Sequence, residues 1–121
     1  MTILFWRWGP AIAWAGLIFY LSSIPQLEVT SEPVGNFLTR KAAHLAEYAV
    51  LFLLILRATQ FKRPGLSLTL TLLYALTDEL HQSLIPTRTA KLEDLAFDAA
   101  GALLGGAAWK YFPAALMKLK S

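Results

Sequence analysis

The chain's 121 residues suit a single domain, 1–121; 56% are hydrophobic and only 16% charged, and the mean hydropathy is +0.50. Soluble domains carry about 25% charged residues, so the composition favours the membrane class. There is no cysteine, which excludes disulfides and thiolate metal sites, and the net charge of +3 is too small to point to nucleic acid.

Four apolar segments are expected to form helices, each read as long enough for a hydrocarbon layer that takes roughly 20 helical residues. The first spans about residues 8–24, with Trp6, Trp8 and Trp14 early in it. Arg7 before an apolar run also resembles a secretory signal. Ser22, Ser23 and Ile24 lead into Pro25 without a small-x-small cleavage site, so a retained helix is expected. Residues 25–36, rich in Pro, Ser, Thr and Glu, read as a loop. The second segment spans about 37–59, with Lys41, His44 and Glu47 in its first turns, and residues 60–65 (QFKRPG) form a short basic turn. The third spans about 66–84 and gathers its polar residues toward its end. Pro86 breaks the chain in the loop 85–92. The fourth helix spans about 93–112: Thr89 is its expected N-cap, and Glu93 and Asp94 sit in its first turn, where the helix dipole favours acids. Trp109, Tyr111 and Phe112 suit an interfacial belt, and Lys118 and Lys120 close a basic tail.

Four crossings put both termini on one side. Arg7, Arg57, Lys62, Arg63, Lys110, Lys118 and Lys120 fall on that side, against Arg40, Lys41, Arg88 and Lys91 on the other. The more basic side should face the cytoplasm. The expected fold is an all-α membrane protein, a four-transmembrane-helix bundle with both termini cytoplasmic. Glu28, Glu32, Glu47, Asp78, Glu79, Glu93, Asp94 and Asp98 all belong to the opposite half, so a polar site is expected on the outer face.

Residues 77–98 concentrate that site between two apolar segments, where an unpaired charge costs at least a few kcal/mol. Helical spacing puts Lys41, His44, Glu47 and Tyr48 on one face of the second helix. Thr71, Tyr74, Asp78, His81 and Gln82 share a face of the third, with Glu79 to one side; Thr69 and Thr71 should bond their own helix backbone. Asp94, Asp98, Gly101, Gly105 and Ala108 form a stripe on the fourth, whose small residues allow close approach to a neighbour. Ser22 and Ser23 end the first helix at the same level.

Three functions suit these groups. In the first, Lys41, Arg88 and Lys91 attract the phosphate of a lipid headgroup, and the acids and histidines orient it. Tyr48, Asp78 and Gln82 belong with Lys41 and Arg88 as ligand-binding candidates. In the second, an acid/base or metal-assisted enzyme acts on a headgroup through His44, Glu47, Glu79, His81, Asp94 and Asp98. His44 with Glu47, and Asp78 with His81, are spaced i, i+3 as in carboxylate-histidine sites of helical bundles. With Asp94 and Asp98 they could supply nitrogen and oxygen ligands for a divalent metal such as zinc, manganese or iron. The third, an ion-coupled transporter, is weaker because no second repeat is visible. A self-satisfied salt-bridge network is the alternative without a ligand; it adds little stability over apolar packing, which favours a functional role.

The residues that carry these arguments resemble the VanZ-like family of small bacterial membrane proteins. SSIP at 22–25, RKAAHLAEY at 40–48 and DELHQ at 78–82 make the match, followed by Pro86, Arg88, Asp94, Asp98, Gly101 and Gly105. Thr87 departs from the pattern, where Gly is expected between Pro86 and Arg88. The resemblance implies a multi-pass protein of the bacterial plasma membrane, of a kind associated with resistance to the glycopeptide teicoplanin. Its expected partner is a membrane lipid or lipid-linked cell-wall precursor.

Overall fold

Each of the four apolar runs folds as an α-helix, and the described residues contain no strand. The structure, a computed structural model, describes residues 2–23, 33–84 and 92–111; the side chains of Thr2, Ser22, residues 33–37, Arg40 and residues 92–94 lie outside the description. The helices are α1 (Thr2–Ser23), α2 (Pro33–Ala58), α3 (Pro64–Gln82) and α4 (Leu92–Tyr111). The expected N-cap Thr89 lies outside the described residues.

The helix ends differ from the sequence expectation for local reasons. Residues 2–7 extend α1 backwards, because Ile3, Leu4, Phe5 and Trp6 offer nothing to stop a helix. Pro33 opens α2 rather than closing the loop before it, since a proline in the first turn gives up only an N–H that has no helical partner. Pro64 does the same for α3. At its other end α3 tightens: the Leu84 N–H bonds the His81 carbonyl at 3.0 Å, one residue short of α spacing. Between α2 and α3 the chain turns in a Schellman cap, with Phe61 N–H on Leu56 O at 2.8 Å and Gln60 N–H on Arg57 O at 2.9 Å. Gln60 and Phe61 have φ of 59° and 61°, an arrangement glycine normally supplies. Phe61 repays part of that cost by packing against the cluster of Phe52, Leu56 and Ala102.

Pro10 sits within α1 and leaves the Trp6 carbonyl without its helical donor. Arg57 of α2 fills the gap: its Nη1 donates to Trp6 O at 2.7 Å. That bond ties the start of α1 to the end of α2, while Ser23 at the end of α1 meets His81 at the end of α3. The helices therefore run alternately up and down.

Two apolar clusters fill the interior. Ile18, Tyr48, Leu51, Ile55 and Ala75 join α1, α2 and α3; Phe52, Leu56 and Ala102 join α2 to α4. The α2–α4 contact is backbone against backbone. A Cβ placed on Gly101 would lie 2.5 Å from Leu45 O, and one on Gly105 would lie 2.7 Å from Ala49 O. The small-residue stripe thus does what its spacing suggested.

Among the described residues, no helix is long and apolar enough to cross a membrane. The expectation that each segment spans by itself is not met, for a visible reason. Although α1 has 22 residues, it includes Arg7 and three tryptophans; α2 carries Lys41, Glu47 and Arg57, and α3 carries Asp78 and Glu79. The all-α class and the four helices stand.

Candidate functional site

Three helices deliver polar side chains as continuations of their own buried stripes. On α2, buried Lys41 and Tyr48 extend the stripe of Leu51 and Ile55. On α3, Asp78 and Gln82 extend Ser67, Thr71 and Ala75. On α4, Asp98 precedes Gly101, Ala102 and Gly105. Because the helices alternate in direction, these extensions reach the same end of the bundle. The hydroxyls deeper in α3 are spent locally, with Thr71 on Ser67 O at 2.7 Å and Thr69 on Gly65 O at 2.9 Å.

The closest polar contact joins α2 to α4. His44 Nδ1 lies 2.6 Å from Asp98 Oδ1, with Asp98 only 1% exposed. The carboxylate accepts, so Nδ1 carries the proton and the imidazole is held in one orientation. A charge-assisted bond this short, with little access to water, is among the stronger polar contacts a protein makes. Gly101 stands one turn beyond Asp98 and touches Leu45, the neighbour of His44, so glycine packing sets the distance across this pair.

A second network joins α2 to α3. The Tyr48 hydroxyl donates to Asp78 Oδ2 at 3.0 Å and Gln82 Nε2 donates to the same oxygen at 3.2 Å. The rings of His44 and Tyr48 lie parallel, with centroids 6.4 Å apart, so the two networks adjoin along α2. Lys41 Nζ sits over the Phe97 ring, 5.2 Å from its centroid, a cation–π contact that carries the α2 cation toward α4.

His81 belongs to a third group, on the α1 side. Its ring stacks on Phe19 at 4.0 Å and its Nε2 lies 3.3 Å from Ser23 Oγ. Ser23 has one proton to give and directs it to Phe19 O at 2.9 Å, so His81 Nε2–H is the donor between them. The lone pair of this ring is then on Nδ1. Two more cross-helix bonds hold α1 here: Trp14 Nε1 donates to Glu47 O at 2.9 Å, and the Tyr74 hydroxyl donates to Ala15 O.

The residues singled out from sequence are thus distributed over these three groups. His44 pairs with Asp98 of α4, and His81 turns to Ser23 rather than bonding Asp78. Glu79 is buried with the inner face of α3, and Glu47 is half-buried on α2. Arg88 and Lys91 lie outside the described residues, as do the side chains of Glu93 and Asp94. Among the described residues, no three His, Asp or Glu side chains come together as a metal-ion shell. Sequence reading missed the parts played by Trp14, Tyr74 and Arg57, each of which bonds a backbone carbonyl and so leaves no complementary residue type to find.

An apolar groove of about 590 Å³ lies along α3 and α4, lined by Thr69, Leu72, Leu73, Leu76, Leu95, Ala96 and Ala99. Its one hydroxyl is already bonded to Gly65 O. The groove is chemically separate from the polar end.

Comparison with known families gives one match: a family model described as VanZ/LLP1 aligns with residues 7–113. Comparison with curated proteins and with solved structures gives no match.

Proposed function

The chain belongs to the VanZ/LLP1 family, and from that premise we propose that it is a multi-pass protein of the bacterial plasma membrane whose polar end binds an amphiphile with a phosphate-bearing headgroup. The observation that carries this reading is an inverted polarity. Lys41, Asp78, Gln82 and Asp98 are buried, while Ile3, Phe5, Ile12, Phe19, Leu73, Leu80 and Leu103 are exposed on α1, α3 and α4. An exterior of that kind invites association in water and suits lipid as its solvent. Ionisable groups turned inward from such a surface mark a functional site by default. The same inward polar groups lower the hydropathy of α2, α3 and α4 taken alone, which reconciles the proposal with helices that fall short of spanning.

The orientation rests on the basic residues, with both termini cytoplasmic and the polar end at the outer leaflet. Lys41 supplies a cation at that end, and Arg88 and Lys91 are assigned to it from the sequence. Lipid-linked cell-wall precursors and glycopeptides meet the membrane at the same face, so a teicoplanin-resistance role like that implied by the family resemblance fits the placement. One observation favours a second reading. The His44–Asp98 pair, at 2.6 Å, fixes an imidazole as acid/base catalysts require, so headgroup hydrolysis or transfer is the alternative.

Native mass spectrometry of the protein extracted gently from its membrane tests the proposal, with metal analysis on the same sample. A co-purifying phospholipid or polyprenyl phosphate, depleted in a folded Lys41→Ala variant, is the expected result. Retention unchanged by Lys41→Ala, or an external reporter fused after Gln60, would overturn it. Metal near one per chain would move the assignment to the enzyme.

A further inference from the structure

Asp78 is 2% exposed and its two oxygens are used unequally. Oδ2 takes both neutral donors, Tyr48 and Gln82, while the buried Oδ1 has no hydrogen-bond partner. One turn further along α3, buried His81 Nδ1 also has none. By the proton count at Ser23 this nitrogen is an acceptor. A buried carboxylate that meets only neutral donors is an expensive arrangement, as is a buried acceptor left unmade. Two such acceptors on one helix call for a donor from outside the chain.

We propose that Asp78 Oδ1 and His81 Nδ1 are the receiving half of a site for a primary ammonium group, so that the bound amphiphile carries an ammonium as well as a phosphate. The inference rests on the lipid-binding reading above and names the second headgroup element. Residues i and i+3 of a helix hold their Cβ atoms about 5–6 Å apart. Side chains rooted at that spacing can bring their acceptors within the roughly 4.7 Å that one ammonium bridges, since two of its tetrahedral N–H donors each reach about 2.9 Å. Its positive charge supplies the counter-ion that Asp78 lacks among its contacts. A hydroxyl offers a single donor without charge, and a trimethylammonium offers charge without a donor. The phosphate of the same headgroup falls to Lys41.

The test is a titration of the full chain, in detergent, with short-chain phosphatidylethanolamine, phosphatidylcholine and phosphatidylglycerol, read by native mass spectrometry. The ethanolamine lipid should bind about tenfold more tightly than either other lipid, the worth of one charge-assisted hydrogen bond. Asp78→Asn should abolish that preference, bringing the ethanolamine lipid to the level of the other two; if this variant does not fold, His81→Leu should reduce the preference severalfold. Equal affinities for the three lipids, or a preference that survives a folded Asp78→Asn, would overturn the ammonium site and leave the phosphate reading intact if binding still depends on Lys41. No binding of any of the three overturns both. Phosphoethanolamine without acyl chains distinguishes a lipid site from a site for the free headgroup: competition at the lipid's own concentration range would place the source in solution.

Discussion

Adding one methyl group at Gly101 should disturb the bundle more than its size suggests. The new Cβ would stand 2.5 Å from Leu45 O, 3.0 Å from Leu45 Cα and 3.1 Å from Leu45 C, all of them backbone atoms that no rotamer change can move. Ordinary contact begins at 3.4 Å, so α2 and α4 must part locally by about 0.9 Å. His44 and Asp98 flank this contact and are joined at 2.6 Å. Moved apart by the same amount, they would sit near 3.5 Å, about where a hydrogen bond ceases to count as one. Overpacking costs about 1–3 kcal/mol and the lost charge-assisted bond about 1.5–3 kcal/mol, and because the two share a cause they will not add in full. We expect Gly101→Ala to lower stability by about 2–4 kcal/mol, read as thermal unfolding in detergent. A folded variant should also show an altered His44 imidazole proton resonance. Gly106→Ala is the control, since its Cβ would meet Phe52 at 3.7 Å; it should be neutral or gain up to about 1 kcal/mol from helix propensity. Two melting curves that coincide would refute the reasoning, because they would mean that α4 can move off α2 at no cost.

Asp98→Asn, measured alone and with Gly101→Ala, should cost about 1–3 kcal/mol alone and much less in the double variant; full additivity in denaturation would uncouple the glycine from the ion pair. Tyr48→Phe removes a buried donor from Asp78 and should destabilise by about 1–2 kcal/mol in the same assay, more than Tyr20→Phe at an exposed position of α1. Gln60→Gly should stabilise by about 0.5–1 kcal/mol, because φ of 59° is strained for glutamine and not for glycine. A loss of stability there would mean that the Gln60 side chain makes a contact worth more than the strain. Pro10→Ala should give Trp6 O its own helical donor and weaken the tie to Arg57, seen as faster hydrogen exchange at the ends of α1 and α2 with little change in melting temperature.

Much of this architecture was legible because helical periodicity reports which residues share a face. Lys41 and Tyr48 were placed on one face of α2, and Asp98, Gly101 and Gly105 on one stripe of α4, from spacing alone. Spacing does not report what stands opposite. Spacing set His44 with Glu47 as possible ligands three residues apart; it could not show that His44 makes its short bond to Asp98 of α4, at a depth fixed by Gly101 seated against Leu45. Nor could it show that the His81 ring, spaced with Asp78, rests on Phe19, where stacking with α1 decides which way the nitrogens point. Glu79, set to one side on the helical wheel, is buried because α3 has neighbours on more than one side. The early start of α1 was missed for a different reason. Arg7 reads as a boundary charge in a hydropathy window, although it is an ordinary helix former and nothing near it caps or breaks a helix.

The bonds that fasten α1 share a property with consequences for how this sequence can change. Arg57, Tyr74 and Trp14 each donate to a main-chain oxygen, at Trp6, Ala15 and Glu47 respectively. A carbonyl is present whatever the residue, so these bonds read position along the helix and not side-chain identity. Tolerance to substitution should therefore be lopsided: as far as these bonds go, most residues will serve at the three acceptor positions and almost none at the three donor positions. The exposed apolar surface of α1 is thereby relieved of any duty in recognising its neighbours. It can drift to suit whatever surroundings it meets while its seat in the bundle stays the same.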